Sequence, residues 1–298
     1  MGRSLLMPLP ERYGVKSRRN WTRSLIATGL GIVFTAIVLG WFDIPVVSSQ
    51  GIFIRSHFRE GVIPSYPSDQ AWETLAPIPI PLSGQIITRP VWPAPSAKVV
   101  SVRSIHNGKD ISFLIEWQDA TKNERLTPGV FRDGAAVALP LGDAPAFFCM
   151  GQLDHYVNIW HWKADWQSDV DRRAARAKEK KRRKRGIRRF EVIPRRPSSV
   201  EDLIGGGFST LTSKKRQGKI KGQAEWKNGF WRVVMKRPLT KPGGGDENEA
   251  TLIPGRMQAV GFAVWNGENN ERNGQKAVAS WLQLLVDPVG GPITSQKS

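Results

Sequence analysis

Beyond residue 97 the chain repeatedly alternates apolar and polar residues with the period of two that is typical of β-strands. The clearest case is "AKVVSVRSIHNGKDISFLIEW" (97–117), where the alternation runs on both sides of Asn107-Gly108. Asn-Gly between two alternating runs is a strong signal for a tight turn. The segment therefore predicts a β-hairpin.

The same pattern recurs in the second half of the chain. A further hairpin is predicted around Asn228-Gly229 in "GKIKGQAEWKNGFWRVVMKRPL" (218–239). Single strands are predicted at 135–141, 155–162, 256–265 and 277–286. Many short strands separated by turns, together with 29 glycines and 21 prolines, predict an all-β fold with minor helices, a β-sandwich or a barrel.

Residues 24–42 ("SLIATGLGIVFTAIVLGWF") contain no charged residue. At 1.5 Å per residue, a helix of this length spans roughly the 30 Å hydrocarbon core of a bilayer. Basic residues precede the segment and Asp43 follows it, so the positive-inside rule predicts a cytoplasmic segment 1–23, a membrane anchor over 24–44 and a periplasmic remainder. A cleaved signal peptide is the competing interpretation, although the apolar region of such peptides usually has only about 7–15 residues.

The segment 45–97 is rich in proline and has no clear periodicity. Stretches such as "APIPIPLSGQIITRPVWPAPSA" are typical of an extended connector that lies on a surface. We therefore predict a connector over 45–97 that leads into a β-sandwich domain over 98–290.

The net charge of +18 is concentrated in two segments. Residues 1–23 carry a net charge of +5 and residues 172–196 carry +12, so the rest of the chain is nearly neutral. Residues 168–185 are predicted to be helical but have no apolar face, which favours a solvated insertion. Contact with anionic lipid or with an acidic partner is the alternative. Nucleic-acid binding is not expected, because the predicted topology places the insertion across the membrane from DNA.

Candidate chemistry concentrates in "FFCMGQLDHYVNIWHWKADWQ" (147–167), which holds the single cysteine, Cys149, beside Met150. One cysteine excludes an intrachain disulfide, a zinc site built on several cysteines and an iron–sulfur cluster held by this chain alone. The sequence has no CxxCH motif, which excludes a covalently bound c-type haem. No Ser/His/Asp set or carboxylate pair stands in a recognisable catalytic context, so an independent hydrolase is not expected.

Five segments between residues 95 and 287, taken in order, resemble one family. They are "AFFCMGQ", "VNIWHWKADWQ", "GGGFSTLT", "GQAEWKNGFWRVVMKRPL" and "VGFAVWNGENNERNGQKAVASWLQL". Together they resemble the haem-binding γ subunits of the ethylbenzene dehydrogenase group, which serve molybdoenzymes of the type II DMSO reductase family. The resemblance implies a β-sandwich that holds one noncovalent b-type haem.

The resemblance also implies the ligands of the haem iron. These γ subunits use a methionine and a lysine, and the matching positions here are Met150 in "FFCMG" and Lys276 in "ERNGQKA". A thioether is a soft ligand, and a lysine can ligate only as a neutral amine, so burial has to lower its pKa. Without the motif, Met150 would be interpreted as a core residue and Lys276 as an exposed loop residue.

The residues expected to line the haem pocket are mainly aromatic. They are Phe148, Trp160, Trp162 and Trp265. Arg272 and Lys163 are expected to pair with haem propionates. His161 lies on the face of its predicted strand opposite to Trp160 and Trp162, and is interpreted as a packing or hydrogen-bonding residue or as a propionate partner. Cys149 is interpreted as a small buried thiol.

The expected function is electron transfer, because two protein ligands leave the iron no open position for a substrate. The resemblance implies two sets of redox partners. One is a molybdopterin catalytic subunit with an iron–sulfur subunit, and the other is a cytochrome or a membrane carrier. A nitrite or nitrate oxidoreductase is one parent complex that fits. The alternative is a haem-free, membrane-tethered β-sandwich whose tryptophans bind a carbohydrate or a protein.

Overall fold

The computed structural model describes residues 51–142, 144–147, 149–182, 192–239 and 247–291. These residues form fourteen strands, an α-helix, α1 (Ala164–Arg182), and a short 3₁₀-helix (Gln70–Thr74). The strands are β1 (Phe53–Phe58), β2 (Ile78–Pro81), β3 (Ser83–Gly84), β4 (Val99–His106), β5 (Asp110–Gln118), β6 (Gly134–Pro140), β7 (Val157–Lys163), β8 (Val200–Gly205), β9 (Thr212–Ser213), β10 (Lys221–Lys227), β11 (Phe230–Pro238), β12 (Met257–Trp265), β13 (Ala277–Val278) and β14 (Leu282–Val286). The described residues confirm the predicted all-β fold with minor helices.

The strands form two layers that share β12. In the first layer the order is β10-β11-β5-β4-β1-β14, and β2 pairs with β4. The first part of β12, Met257–Val260, pairs with β14 in this layer. Its second part, Gly261–Trp265, pairs with β6 in the second layer, which continues through β7, β8 and β9. A strand that passes from one sheet to the other forms a corner of a sandwich.

The main hydrophobic core lies between the two layers. Alternation along β5 turns Phe113 and Trp117 inward, and alternation along β7 turns Trp160 and Trp162 inward to meet them. The ring centres of Phe113 and Trp160 are 5.9 Å apart, and those of Trp117 and Trp162 are 6.2 Å apart, both edge to face. Each buried side chain of this size contributes about 1.5–3 kcal/mol, so these contacts hold the layers together.

Both predicted hairpins are present. β4 pairs antiparallel with β5 after the turn at Asn107-Gly108, and β10 pairs antiparallel with β11 across Asn228-Gly229. Asn228 and Gly229 have φ angles of +53° and +77°, the left-handed region that these residue types tolerate best. The turn chemistry therefore made both hairpins predictable.

Strand β1 corrects the interpretation of 45–97 as a connector. β1 lies between β14 and β4 and is parallel to both. Its Ile54 belongs to the main core, and its buried Ser56 accepts a hydrogen bond from the hydroxyl of Ser104 at 2.8 Å. Residues 53–58 are thus an interior strand of the domain. A short strand with a polar residue on its buried face gives no clear alternation, which is why the sequence pattern did not reveal it.

Helix α1 follows β7 directly and contains residues 168–182 of the helix predicted over 168–185, beginning four residues earlier; residues 183–185 lie outside the described residues. Three aspartates stand in its first eight residues, and basic residues follow, an order that complements the helix dipole. Ala164, Gln167 and Asp169 are buried, whereas most side chains from Asp171 to Glu179 are exposed. Among the described side chains of the helix, those at its beginning therefore pack most closely on the sandwich.

The predicted anchor over 24–44 lies outside the described residues and stays a prediction. Within the described part of the chain, no helix has the length and apolar character needed to cross a bilayer.

Candidate functional site

A cavity lies on the outer face of the second layer. Its floor consists of small outward residues of β6 and β12: Ala136, Ala138, Gly261 and Ala263. Their neighbours along the strands, such as Val137 and Val264, face the main core instead. Small side chains at alternate positions leave a cavity of about 410 Å³, within the range of cofactor sites.

Met150 and Lys276 meet at this cavity although 126 positions separate them in the chain. The Nζ atom of Lys276 lies 3.2 Å from the Sδ atom of Met150. Met150 packs against the hydrophobic residues of the floor, and Lys276 is only 6% exposed. The fold thus places a half-buried thioether in contact with a buried amine.

The backbone of Met150 is fixed against the loop that follows β8. Its carbonyl oxygen accepts a hydrogen bond from the N–H group of Gly207 at 3.0 Å. The next residue, Gly151, has a φ angle of +77°, and a Cβ atom there would lie 2.4 Å from the carbonyl oxygen of Gly205. Only glycine permits this conformation and this close approach. Gly151 therefore allows the chain to present Met150 to the cavity.

Lys276 follows the loop 266–275, which a buried carboxylate organises. Glu271 is 1% exposed and accepts hydrogen bonds from the backbone N–H groups of Ser96 (2.9 Å) and Asn266 (3.0 Å) and from the indole N–H of Trp92 (3.2 Å). Hydrogen bonds to an ionised carboxylate are roughly twice as strong as neutral ones. Glu271 therefore fastens the loop to the segment 92–96 and holds the backbone that leads to Lys276.

Burial lowers the pKa of Lys276 to about 8, although the nearby Cys149 opposes this shift. No ion pair among the described residues includes Lys276. Its Nζ atom lies 5.1 Å from the centre of the Trp265 ring. With a pKa near 8, about one amine in ten is neutral at pH 7, and a neutral amine is a metal ligand.

His161 is on the cavity face of β7, where its ring stacks on Trp265 with centres 4.6 Å apart. Burial, reinforced by the positive charges of Lys163 and Arg132, lowers the pKa of His161 well below its ordinary value. His161 is therefore neutral and can donate or accept a hydrogen bond inside the cavity.

Cations line the wall of the cavity. Lys163 pairs with Glu201, and Arg132 pairs with Asp165 at 2.9 Å. Arg272 lies along the same cavity. The wall is therefore mixed in charge, since Glu201 and Asp133 line the cavity beside these cations. An apolar floor with cationic positions on its wall suits a flat apolar ligand that carries carboxylates.

A family model described as ethylbenzene dehydrogenase matches residues 69–277, which is more than half of the chain and includes both Met150 and Lys276. The chain belongs to the ethylbenzene dehydrogenase family. The matched region also contains the floor strands β6 and β12, so the cavity lies within the part of the chain that the family shares.

Several relatives of this member of the ethylbenzene dehydrogenase family are subunits of oxidoreductases by name. A Haloferax mediterranei protein named as a respiratory nitrate reductase heme subunit is 26% identical over 227 residues, which is 76% of this chain and 69% of that protein. Chlorate reductase subunit gamma of Ideonella dechloratans is 31% identical over 173 residues, 57% of each chain. Dimethylsulfide dehydrogenase subunit gamma of Rhodovulum sulfidophilum is 26% identical over 268 residues, 84% of this chain and 83% of that one.

Two solved structures overlap this family member more weakly. A family 9 carbohydrate binding module from Caldicellulosiruptor kristjanssonii in complex with glucose has 10% identity and a TM-score of 0.40, covering 79% of this chain and 95% of its own. A Bacteroides uniformis protein described as carbohydrate-binding has 10% identity and a TM-score of 0.45, covering 80% and 100%. Overlaps with TM-scores below 0.5 carry no argument about function.

The structure brings together most of the site residues predicted from the sequence. Those that line the cavity are Met150, Lys276, Trp265 and Arg272. Lys163 and His161 line it as well. Phe148 lies outside the described residues. Cys149, interpreted from the sequence as a small buried thiol, is half-buried, and burial raises the pKa of its thiol to about 11.

The prediction that Trp160 and Trp162 line the pocket is wrong. Both side chains are fully buried in the main core, on the inward face of β7. Alternation leaves Ile159, His161 and Lys163 on the cavity face instead. The aromatic residues of this strand therefore stabilise the sandwich, and its histidine and lysine form the cavity wall.

The sequence pattern did not reveal the floor of the cavity or the acidic and basic residues Glu201 and Arg132 on its wall. A signal for the floor is present in "GAAVALP" and "GFAVW". In these two strands the cavity-facing positions are all glycine or alanine, except for the final Pro140 of the first and the final Trp265 of the second. Small residues on one face of a strand indicate the close approach of a ligand or of another segment.

Proposed function

We propose that this protein is an electron-transfer subunit that binds one noncovalent b-type haem between Met150 and Lys276. The observation that carries the proposal is the 3.2 Å contact between the Sδ atom of Met150 and the Nζ atom of Lys276 at the cavity of a member of the ethylbenzene dehydrogenase family. A bound haem supplies one-electron chemistry. The chain itself binds and orients the group and excludes water from it.

The donor set suits a haem iron. Methionine ligation raises the potential of a haem, and the lowered pKa of Lys276 makes its neutral amine accessible. Both side chains are unbranched and flexible, so they can part to admit an iron between them. With both axial positions held by protein, no position is open for a substrate, which favours electron transfer over catalysis at the iron.

The residues around Met150 and Lys276 fit the porphyrin ring and the propionates of a haem. The alanine and glycine floor offers room for a flat ring, and Trp265 provides an aromatic wall. Arg272 on the cavity wall carries a positive charge that suits a propionate, and Arg132 and Lys163 lie on the same wall in their ion pairs with Asp165 and Glu201. Because the sequence has no CxxCH motif, the haem is held without covalent bonds.

The proposed partners are a molybdopterin catalytic subunit and an iron–sulfur subunit, with a cytochrome or a membrane carrier as the further redox partner. The names of the relatives, which are subunits of a nitrate reductase, a chlorate reductase and a dimethylsulfide dehydrogenase, support this placement. A nitrite or nitrate oxidoreductase is our preferred parent complex. We further propose that residues 24–44 anchor the chain and that the sandwich lies in the periplasm, which the apolar stretch in the sequence supports.

Replacement of the two ligands tests the proposal. Met150→Ala and Lys276→Ala should each convert a low-spin haem to a high-spin one or release it, because one axial bond is lost, and the sandwich should stay folded. The visible and electron paramagnetic resonance spectra of the purified variants measure the spin state. Met257→Ala and Lys221→Ala are matched controls at exposed positions and should leave the spectra unchanged. An unchanged low-spin spectrum in both ligand variants would exclude this ligation.

A further inference from the structure

Helix α1 begins at the wall of the cavity. Lys163 is the last residue of β7 and lines the cavity, and Ala164 is the first residue of α1. The first turn is also tied to another wall residue, because Asp165 forms an ion pair with Arg132 at 2.9 Å. The helix therefore extends directly from the site proposed to hold the haem.

Several contacts fix the base of α1 to the sandwich. The Trp166 ring has Lys163 Nζ at 4.6 Å and Arg196 Cζ at 4.4 Å from its centre. Arg196 also pairs with the buried Asp169 at 3.3 Å. These contacts give the helix a defined direction relative to the cavity.

Beyond this base, α1 is rich in basic residues, and most of its side chains from Asp171 to Glu179 are exposed. Residues 172–182 contain seven Lys or Arg residues and one Glu. The only apolar residues in this part are alanines, so it offers no surface for a hydrophobic core. Helices that lie on membranes carry large apolar residues such as Trp, Phe or Leu on one face, and this part of α1 has none.

We infer that the basic half of α1 is the docking site of an acidic electron-carrier protein that exchanges electrons with the haem. The inference rests on the proposed function. The positive charge of residues 172–182 favours an acidic protein as the partner that binds there. Opposite charges near a redox site raise the rate of productive encounters by about 10- to 1000-fold at low ionic strength. A carrier of about 100 residues has a radius of gyration of about 13 Å, so a protein resting on α1 extends back towards the cavity wall.

The test uses the full-length, haem-loaded chain and an acidic plastocyanin as the probe. In the measured step, one electron leaves the reduced haem and reduces the copper of plastocyanin, and no bond or proton changes. Replacing Lys178, Lys180, Lys181 and Arg182 by Gln removes four charges and keeps a good helix former at each position. At about 10 mM ionic strength the second-order rate constant should fall about tenfold, because the Debye length is then about 30 Å and the charges act over the whole approach.

The matched control removes four exposed lysines from the first layer and its turns. They are Lys98, Lys109, Lys221 and Lys227, each replaced by Gln. The control should keep the rate of the unmodified protein, and the rate with basic cytochrome c should not fall in the helix variant. Equal rates in the helix variant and the control would overturn the inference.

Two further measurements separate this inference from its rivals. Haem content is measured first: a chain that binds no haem refutes the proposed function, whereas a haem-loaded helix variant with an unchanged rate refutes only the docking site. Adsorption to phosphatidylglycerol vesicles is compared with adsorption to phosphatidylcholine vesicles. If the helix substitutions reduce only the adsorption to phosphatidylglycerol and leave the plastocyanin rate unchanged, α1 contacts lipid and the inference is wrong.

Discussion

At the residue scale, Lys276 combines two properties that rarely occur together. It is almost completely buried, and within the described residues it forms no ion pair. Burial without a counter-charge penalises the ammonium form, which is why the pKa of Lys276 falls to about 8. The same penalty favours the neutral amine, so the residue is prepared for metal ligation by the fold itself.

This state of Lys276 predicts how haem binding depends on pH. Below about pH 8 the amine is protonated and must lose its proton to bind iron, so the affinity should fall about tenfold per pH unit. Above pH 8 the affinity should be constant. Haem titrations of the haem-free protein between about pH 6 and pH 9.5 measure this. Lys276→Met keeps a ligand but removes the titrating group, so the haem affinity of this variant should not change with pH. A haem affinity of the unmodified protein that does not change with pH would argue against amine ligation.

The contact between the two candidate ligands could be predicted from the sequence, whereas the face of β7 that meets the cavity could not. Met150 and Lys276 stand in segments that resemble the family, and the structure places them in contact. Alternation predicted that His161 and the flanking Trp160 and Trp162 lie on opposite faces, and this is correct. Which face meets the cavity depends on how β7 packs against β5, a long-range contact that a local period does not contain.

At the scale of elements, β6 and β12 divide their residues between two roles. Their inward residues, such as Val137 and Phe262, fill the main core, and their outward alanines and glycine form the cavity floor. Substitutions on the floor should therefore affect ligand binding without disturbing the core.

Ala138→Phe tests this division of roles. The added ring points into the cavity, so it should lower haem affinity by more than tenfold while the melting temperature of the haem-free protein stays within a few degrees. Haem titration and thermal unfolding measure the two effects. Ala174→Phe makes the same change at an exposed position of α1 and should leave haem binding intact. Normal haem binding by Ala138→Phe would place the haem elsewhere.

The loop that leads to Lys276 depends on Glu271. Five donor groups point at the Glu271 carboxylate, and Glu271→Gln introduces an amide N–H group among them. The substitution should therefore lower the free energy of unfolding by roughly 2 kcal/mol and weaken haem binding. Urea unfolding and haem titration measure both quantities. Glu268→Gln, on the exposed side of the same loop, is the control. If the Glu271 variant matched this control, the carboxylate would not organise the loop.

Elements that are marked by turn residues or alternation in the sequence could be predicted. Elements that depend on pairing with strands far away in the chain could not. Asn228-Gly229 located a hairpin because the turn needs left-handed residues. β1 has no such signal, since its buried Ser56 is satisfied by Ser104 from another strand. The division of β12 between two layers likewise depends on β14 and β6, which lie on either side of it.

At the scale of the whole molecule, the residues that stabilise the sandwich and the residues of the candidate site lie on opposite faces of the second layer. The aromatic core between the layers holds the fold, and the cavity on the outer face of the second layer holds the candidate ligands. The basic charge that dominates the composition lies in neither place, and its described part extends from the cavity wall as α1. The proposed haem site, the structural core and the proposed docking helix can therefore be altered independently.

The most direct test of the central claim is the reduced-minus-oxidised visible spectrum of the purified full-length chain, followed by pyridine extraction of its haem. Ligation of one haem by Met150 and Lys276 predicts a sharp low-spin α band and one b-type haem per chain. A folded chain that contains no haem, even after reconstitution with haemin, would contradict it.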